Sequence, residues 1–119
     1  MQTRKVYLRP SARSLLENAP TRVAALLAQY LNLIEGYAQL KKVKSCRTEV
    51  SGFQDPEDGS RQLMITHMVG LSQDDLRTYR GNLGTVIEEW VRGLSPEELD
   101  LMQKWFILEV VPNREINRS

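Results

Sequence analysis

The sequence predicts a single small α+β domain. Its 119 residues, of which 41% are hydrophobic and 26% charged, are typical of one soluble globular domain. Two alternating runs around a turn predict a β-hairpin, and helical periodicity or helix-start signals mark three longer segments. We expect residues 1–112 to form a short N-terminal strand, a long helix, the hairpin and two C-terminal helices. The helices would pack on a small antiparallel sheet, with 113–119 as a flexible tail.

The N-terminal part combines a short strand with the long helix. Val6 and Leu8 alternate with their neighbours and Pro10 ends the run, which predicts an edge strand. Pro20 and Thr21 are suited to a helix start. Apolar residues then recur at spacings of three and four over 21–40, and they are Val23, Leu26, Leu27, Tyr30, Leu33, Ile34, Tyr37 and Leu40. This stripe predicts a helix with one broad buried face.

The middle of the chain predicts the hairpin. Residues 43–53 are poor in strong helix formers and alternate in places. In residues 63–69, Leu63, Ile65, His67 and Val69 alternate with Met64, Thr66 and Met68, so both faces of this strand are largely apolar and we expect it inside a sheet or packed on both sides. Between them, Pro56 and the pair Asp58-Gly59 are typical of a chain reversal. The sequence therefore predicts two antiparallel strands joined by a turn.

Two helix starts follow, each with a capping serine. Ser72 precedes Asp75 by three residues and Ser95 precedes Glu98 by three, which is the spacing of a capping box. The first helix either runs through to Gly93 or breaks at 81–84. The second is expected over 96–109, because apolar residues occur on two of its faces.

The inventory of reactive side chains excludes several kinds of site. The chain has one cysteine, Cys46, and one histidine, His67, so it has no internal disulfide framework and no cysteine- or histidine-rich metal site. We expect Cys46 to be a small buried hydrophobe and His67 a strand residue without a catalytic role. No nucleotide, phosphate or nucleophile motif is present, so we expect no catalytic residue, metal ion or cofactor.

These exclusions favour a non-catalytic protein–protein interaction or regulatory module. The helices at 21–40 and 96–109 carry more apolar surface than a three-stranded sheet can cover. We therefore expect a homo-oligomer, in the first place a homodimer, or a complex with another protein. Its interface anchors would be aromatic residues, namely Tyr30, Tyr37, Trp105 and Phe106. The first ten residues lack an apolar signal segment and no membrane span is evident, so we expect a cytoplasmic location without membrane contact.

A nucleic-acid-binding regulator is the first alternative. Residues 1–53 carry nine Lys/Arg against three Asp/Glu. A basic patch at 41–47 could contact phosphates, and it consists of Lys41, Lys42, Lys44 and Arg47.

Residues 71–96 also resemble the helix-turn-helix of the Cro/phage-repressor family. The matching positions are Leu71-Ser72-Gln73-Asp74-Asp75-Leu76, Gly81, Ile87, Trp90, Gly93 and Ser95-Pro96. The resemblance implies a DNA-binding helix pair with Thr85, Val86 and Glu88 nearest the bases. The second alternative is a small ligand-binding protein or enzyme, whose pocket would include His67.

Overall fold

The sheet of this protein is mixed and has four strands. The structure is a computed structural model, and it describes residues 6–43 and 45–113. In chain order the elements of that part are β1 (Val6–Leu8), α1 (Pro10–Asn18), α2 (Thr21–Leu40), β2 (Cys46–Gln54), β3 (Arg61–Val69), α3 (Gln73–Arg92), α4 (Pro96–Trp105) and β4 (Phe106–Pro112). The strand order is β1-β2-β3-β4. The α+β class is confirmed. The sheet is not purely antiparallel, because β1 runs parallel to β2 and β4 parallel to β3.

The central hairpin forms as expected. β2 and β3 are antiparallel, with Thr48 opposite His67 and Val50 opposite Ile65. In the connecting turn Gly59 has φ of 74°, a left-handed conformation that glycine adopts without strain. The side chains of Asp55 and Asp58 accept hydrogen bonds from backbone N–H groups two residues further on, which closes the turn.

The helix α3 is continuous from Gln73 to Arg92. Ser72 caps it by accepting a hydrogen bond from the Asp75 N–H. The helix passes without a break through Gly81 and Gly84. A Cβ atom at either position would meet no other atom within 4 Å. The helix-turn-helix alternative at 71–96 is therefore wrong in structure. Its turn lies inside the single helix α3, and residues 61–69, which would have to form the helix that precedes the motif in that family, form the strand β3.

The C-terminal helix is shorter than expected and a strand follows it. α4 ends at Trp105, and Phe106 has the extended dihedrals φ −121° and ψ 136°. Phe106, Leu108 and Val110 also fit a strand period of two, so the sequence supports either structure. This segment forms a strand because it pairs with β3, beginning with Phe106 opposite Leu63. The second C-terminal helix therefore covers 96–105 instead of 96–109.

The core lies on one side of the sheet. The buried residues of β2, β3 and β4 alternate along each strand and share the face on which the helices pack. They form two clusters, one centred on α2 and one on α3. Among the described residues, every helix is too short or too polar to span a lipid bilayer.

Candidate functional site

The side of the sheet opposite the helices carries a largely apolar surface. We define the open face as the β3 and β4 side chains that alternate with the core residues. In register they are Met64 opposite Ile107, Thr66 opposite Glu109, and Met68 opposite Val111. Glu109 is exposed and the others are half-buried. None of these six belongs to either core cluster, so the four apolar ones are not packed against the helices.

Charged and aromatic residues border the open face on β1 and β2. The Arg47 guanidinium lies 4.3 Å from the ring centroid of Tyr7. Glu49 forms ion pairs with Arg9 and, at 3.7 Å, with Arg47. Tyr7 is 47% exposed. This side of the sheet is therefore polar on β1 and β2 and largely apolar on β3 and β4, where the open face lies.

The aromatic residues predicted as interface anchors lie mainly inside this chain. Tyr30 stacks on Trp90 with ring centroids 5.4 Å apart and contacts the edge of Phe106 at 6.0 Å. Burial raises the pKa of Tyr30 to about 12. Tyr37 packs on Tyr79 at 5.1 Å.

Trp105 is half-buried. An interface role for these four aromatic residues stays a prediction. The strand β4 packs on part of the apolar helix surface that we expected a partner to bury.

The residues of the predicted basic patch lie in different surroundings. The Lys41 ammonium lies 5.7 Å from the ring centroid of Tyr37, at the end of α2. Lys42 is exposed and Lys44 lies outside the described residues. Arg47 is half-buried and contacts Tyr7 and Glu49 at the border of the open face. A phosphate-binding role for this patch stays a prediction.

A second feature is a buried polar cluster between α2, the hairpin and α3. Its members are Glu35, Cys46, Thr48, His67 and Tyr79, and all but the half-buried Cys46 are buried. The His67 Nδ1 atom lies 2.9 Å from the Thr48 Oγ1 atom and 3.8 Å from the Cys46 Sγ atom. The Glu35 Oε2 atom accepts from Thr48 at 3.3 Å and from Cys46 at 3.7 Å.

The far side of the His67 ring is bound to α3. Its Nε2 atom lies 2.7 Å from the Tyr79 hydroxyl. Burial lowers the pKa of His67 to about 4, so the imidazole is neutral at pH 7. Burial, and then the negative charges of nearby groups, raises the pKa of Tyr79. Tyr79 therefore stays protonated and can donate.

One arrangement of protons satisfies this chain of groups. Thr48 has a single hydroxyl proton, which it donates to Glu35. Its oxygen then accepts from the His67 Nδ1–H, and the unprotonated Nε2 accepts from Tyr79. Each step from Tyr79 to the Glu35 carboxylate is a hydrogen bond in the same direction.

Sequence reasoning missed this cluster. It treated Cys46 and His67 separately and did not single out Glu35. Two signals were available. Glu35 follows Ile34 on the apolar side of α2, where an unpaired carboxylate would be costly. The hairpin turn also places Cys46 and Thr48 on the strand that neighbours His67.

A groove of about 400 Å³ lies between α3 and β4. Its lining residues are Arg80, Leu83, Gly84, Ile87, Leu108, Glu109, Val110 and Val111. Arg80 donates to the Val110 carbonyl oxygen at 2.8 Å, which satisfies one backbone acceptor of this strand. The groove does not include His67, which the ligand-binding alternative had placed in the pocket.

Comparisons with protein-family models, with curated proteins and with solved structures found no match to this chain.

Proposed function

We propose that this chain is a non-catalytic interaction module that forms a homodimer through its open face. The observation that carries the proposal is the apolar part of that face, which consists of Met64, Met68, Ile107 and Val111. A sheet with one helix-covered face gains stability when a second layer covers the other. Another copy of the same sheet is a suitable second layer, because sheets pack face to face at about 10 Å.

The register makes the open face complementary to itself. A two-fold axis parallel to the strands, between β3 and β4, would place β3 of one copy over β4 of the other. Met64 would then lie over the partner's Ile107, and Met68 over the partner's Val111. The central polar pair would also match, since the Thr66 hydroxyl could donate to the partner's Glu109 carboxylate. Each residue would thus face the partner's copy of its own neighbour on the adjacent strand, so every such contact occurs twice across the interface.

The size of the face predicts a weak dimer. Strands β3 and β4, which form the open face, have nine and seven residues. At about 3.3 Å per residue and about 4.8 Å between strands they present roughly 250 Å² per copy. Two copies contribute about 500 Å² in planar projection, whereas stable interfaces bury about 1,200–2,000 Å² of accessible surface. Protruding side chains make the accessible area larger than the planar area, but we expect an interface below this range and therefore a weak, reversible dimer.

Sedimentation velocity over a concentration series tests the proposal. We expect wild-type protein to pass from monomer to dimer between micromolar and millimolar concentration. Met68→Lys would place an ammonium group in the apolar contact and should leave a monomer throughout. The matched control is Leu40→Lys, because Leu40 is 73% exposed at the end of α2 and lies away from the open face. It should dimerise like wild type.

A variant that is expected to strengthen the dimer shows that the effect of Met68→Lys is not due to general loss of structure. Glu109→Gln removes two carboxylates that would approach each other near the axis, while the amide oxygen still accepts from Thr66. We expect tighter dimerisation, by a few-fold in Kd. A monomeric wild type at all concentrations would overturn the proposal. So would equal effects of Met68→Lys and Leu40→Lys, or weaker dimerisation of Glu109→Gln.

A further inference from the structure

We propose that Glu35, Cys46 and His67 form a mononuclear site for a divalent transition metal ion, with zinc as the preferred ion. The three side chains come from α2, β2 and β3, which the fold brings together. The ligands would be a Glu35 carboxylate oxygen, the Cys46 sulfur and the His67 Nδ1 atom, with water at the fourth position. This inference does not depend on dimerisation, because the cluster lies on the helix side of the sheet.

The spacing of the donor atoms is close to what zinc needs. One ligand atom from each residue lies within 4.8 Å of the other two. The sulfur lies 3.7 Å from Glu35 Oε2 and 3.8 Å from His67 Nδ1. In tetrahedral zinc sites, bonds of about 2.0–2.3 Å place ligand atoms about 3.3–3.6 Å apart. Small side-chain shifts, of a few tenths of an ångström for the two sulfur contacts, would complete the coordination.

The donor set favours a borderline-soft ion. A thiolate and an imidazole with one carboxylate suit Zn²⁺ and similar transition metals, whereas Mg²⁺ and Ca²⁺ prefer oxygen ligands alone. Glu35 is only 7% exposed. Within the described part of the chain its bonding partners are the neutral groups of Thr48 and Cys46. A divalent cation would compensate the carboxylate charge, and binding would release the Cys46 thiol proton to solvent.

The groups around the ligands fit a metal-bound histidine. A ligating imidazole usually directs its other nitrogen to a hydrogen-bonding partner, which orients the ring. Here Nε2 faces the Tyr79 hydroxyl at 2.7 Å. With metal on Nδ1, the ring proton moves to Nε2, which then donates to the Tyr79 oxygen. The Thr48 hydroxyl gives up its contact with Nδ1 and keeps its bond to Glu35.

Cobalt(II) titration of the metal-free full-length chain tests the site. The chain has one cysteine, so a thiolate-to-cobalt charge-transfer band can arise only from Cys46. We expect this band to saturate at one ion per chain, together with the intense visible bands of tetrahedral cobalt, and to disappear when Zn²⁺ is added. In weakly buffered solution, zinc addition should release about one proton per chain.

Variants separate the site from adventitious binding. Cys46→Ser should lose the charge-transfer band, and Glu35→Gln should weaken cobalt binding at least ~10-fold. The matched control is Glu88→Gln, because Glu88 is exposed on α3 and should leave the titration unchanged. Circular dichroism and the thermal transition of each metal-free variant establish that it is folded.

Zinc should raise the Tm of wild type and not that of Cys46→Ser. The proposal would be overturned by a folded wild type without the charge-transfer band in excess cobalt. It would equally be overturned by equal zinc affinity of wild type and a folded Cys46→Ser or Glu35→Gln variant.

Discussion

Gly52→Ala should destabilise the protein by separating α1 from the sheet. Gly52 lies on β2 under α1, and its N–H donates to the Ser11 hydroxyl at 2.9 Å. A Cβ atom at this position would lie 2.6 Å from the Ser11 carbonyl oxygen and 2.9 Å from the Leu15 Cδ1 atom. The closest contact is with backbone, so a side-chain rotation cannot relieve it. The helix must shift away from β2.

The expected loss of stability follows from two opposing effects. Overpacking of this kind typically costs about 1–3 kcal/mol. Alanine would restrict the unfolded chain and stabilise by about 0.4–1 kcal/mol at a site without strain. The steric cost is larger, because the contact is below any normal Cβ separation. We expect a net loss of about 1–2 kcal/mol, with weakening of the Gly52–Ser11 hydrogen bond.

Urea unfolding followed by circular dichroism measures this change. Gly36→Ala is the matched control, because Gly36 lies in α2 and its Cβ would meet no atom within 4 Å. That substitution should stabilise the protein by about 0.5–1 kcal/mol, since alanine is the better helix former. Equal effects of the two alanines, or an unchanged stability of Gly52→Ala, would refute the close packing of α1 on β2.

Three further substitutions test other parts of the account. Gly81→Ala should raise the free energy of unfolding by about 0.5–1 kcal/mol, because Gly81 lies within the continuous helix α3; a loss would indicate a turn there. Ser95→Ala removes the hydroxyl that accepts from the Glu98 N–H at 3.2 Å. It should cost about 1 kcal/mol. The Ser95 backbone N–H and, second, the Ser95 side chain lower the pKa of the Glu98 carboxyl; loss of the side chain should raise this pKa in part, as measured by carboxyl NMR titration. Tyr79→Phe leaves the buried His67 Nε2 atom without its donor and should cost about 1–3 kcal/mol in urea unfolding; an unchanged stability would contradict the hydrogen-bond chain.

Local chemistry made much of the fold predictable. The apolar stripe of α2, the turn around Gly59 and the serine caps at Ser72 and Ser95 depend on residues within a few positions of each other. Such signals can be read from one sequence, and they indicated the α+β class. The sequence does not decide whether α3 is continuous, because the two glycines Gly81 and Gly84 are compatible with either a helix or a turn.

The strand β4 and the buried cluster depend on contacts between distant segments. Phe106–Pro112 has residues that suit a helix or a strand, and its pairing with β3 decides between them. Glu35 and His67 are 32 positions apart, so their approach requires α2 to lie across the hairpin. The open face could be anticipated only in part. The sequence shows that both faces of residues 63–69 are apolar, but Ile107 and Val111 join Met64 and Met68 only when β4 pairs with β3.

Methyl NMR of selectively labelled methionine tests the proposed dimer most directly. Met64 and Met68 lie on the open face, whereas Met102 is buried in the core cluster around α2. On dilution from millimolar to micromolar protein, we expect the Met64 and Met68 methyl signals to shift together and Met102 to remain constant. Signals of Met64 and Met68 that do not move, while sedimentation shows association over the same range, would place the interface elsewhere and contradict the account.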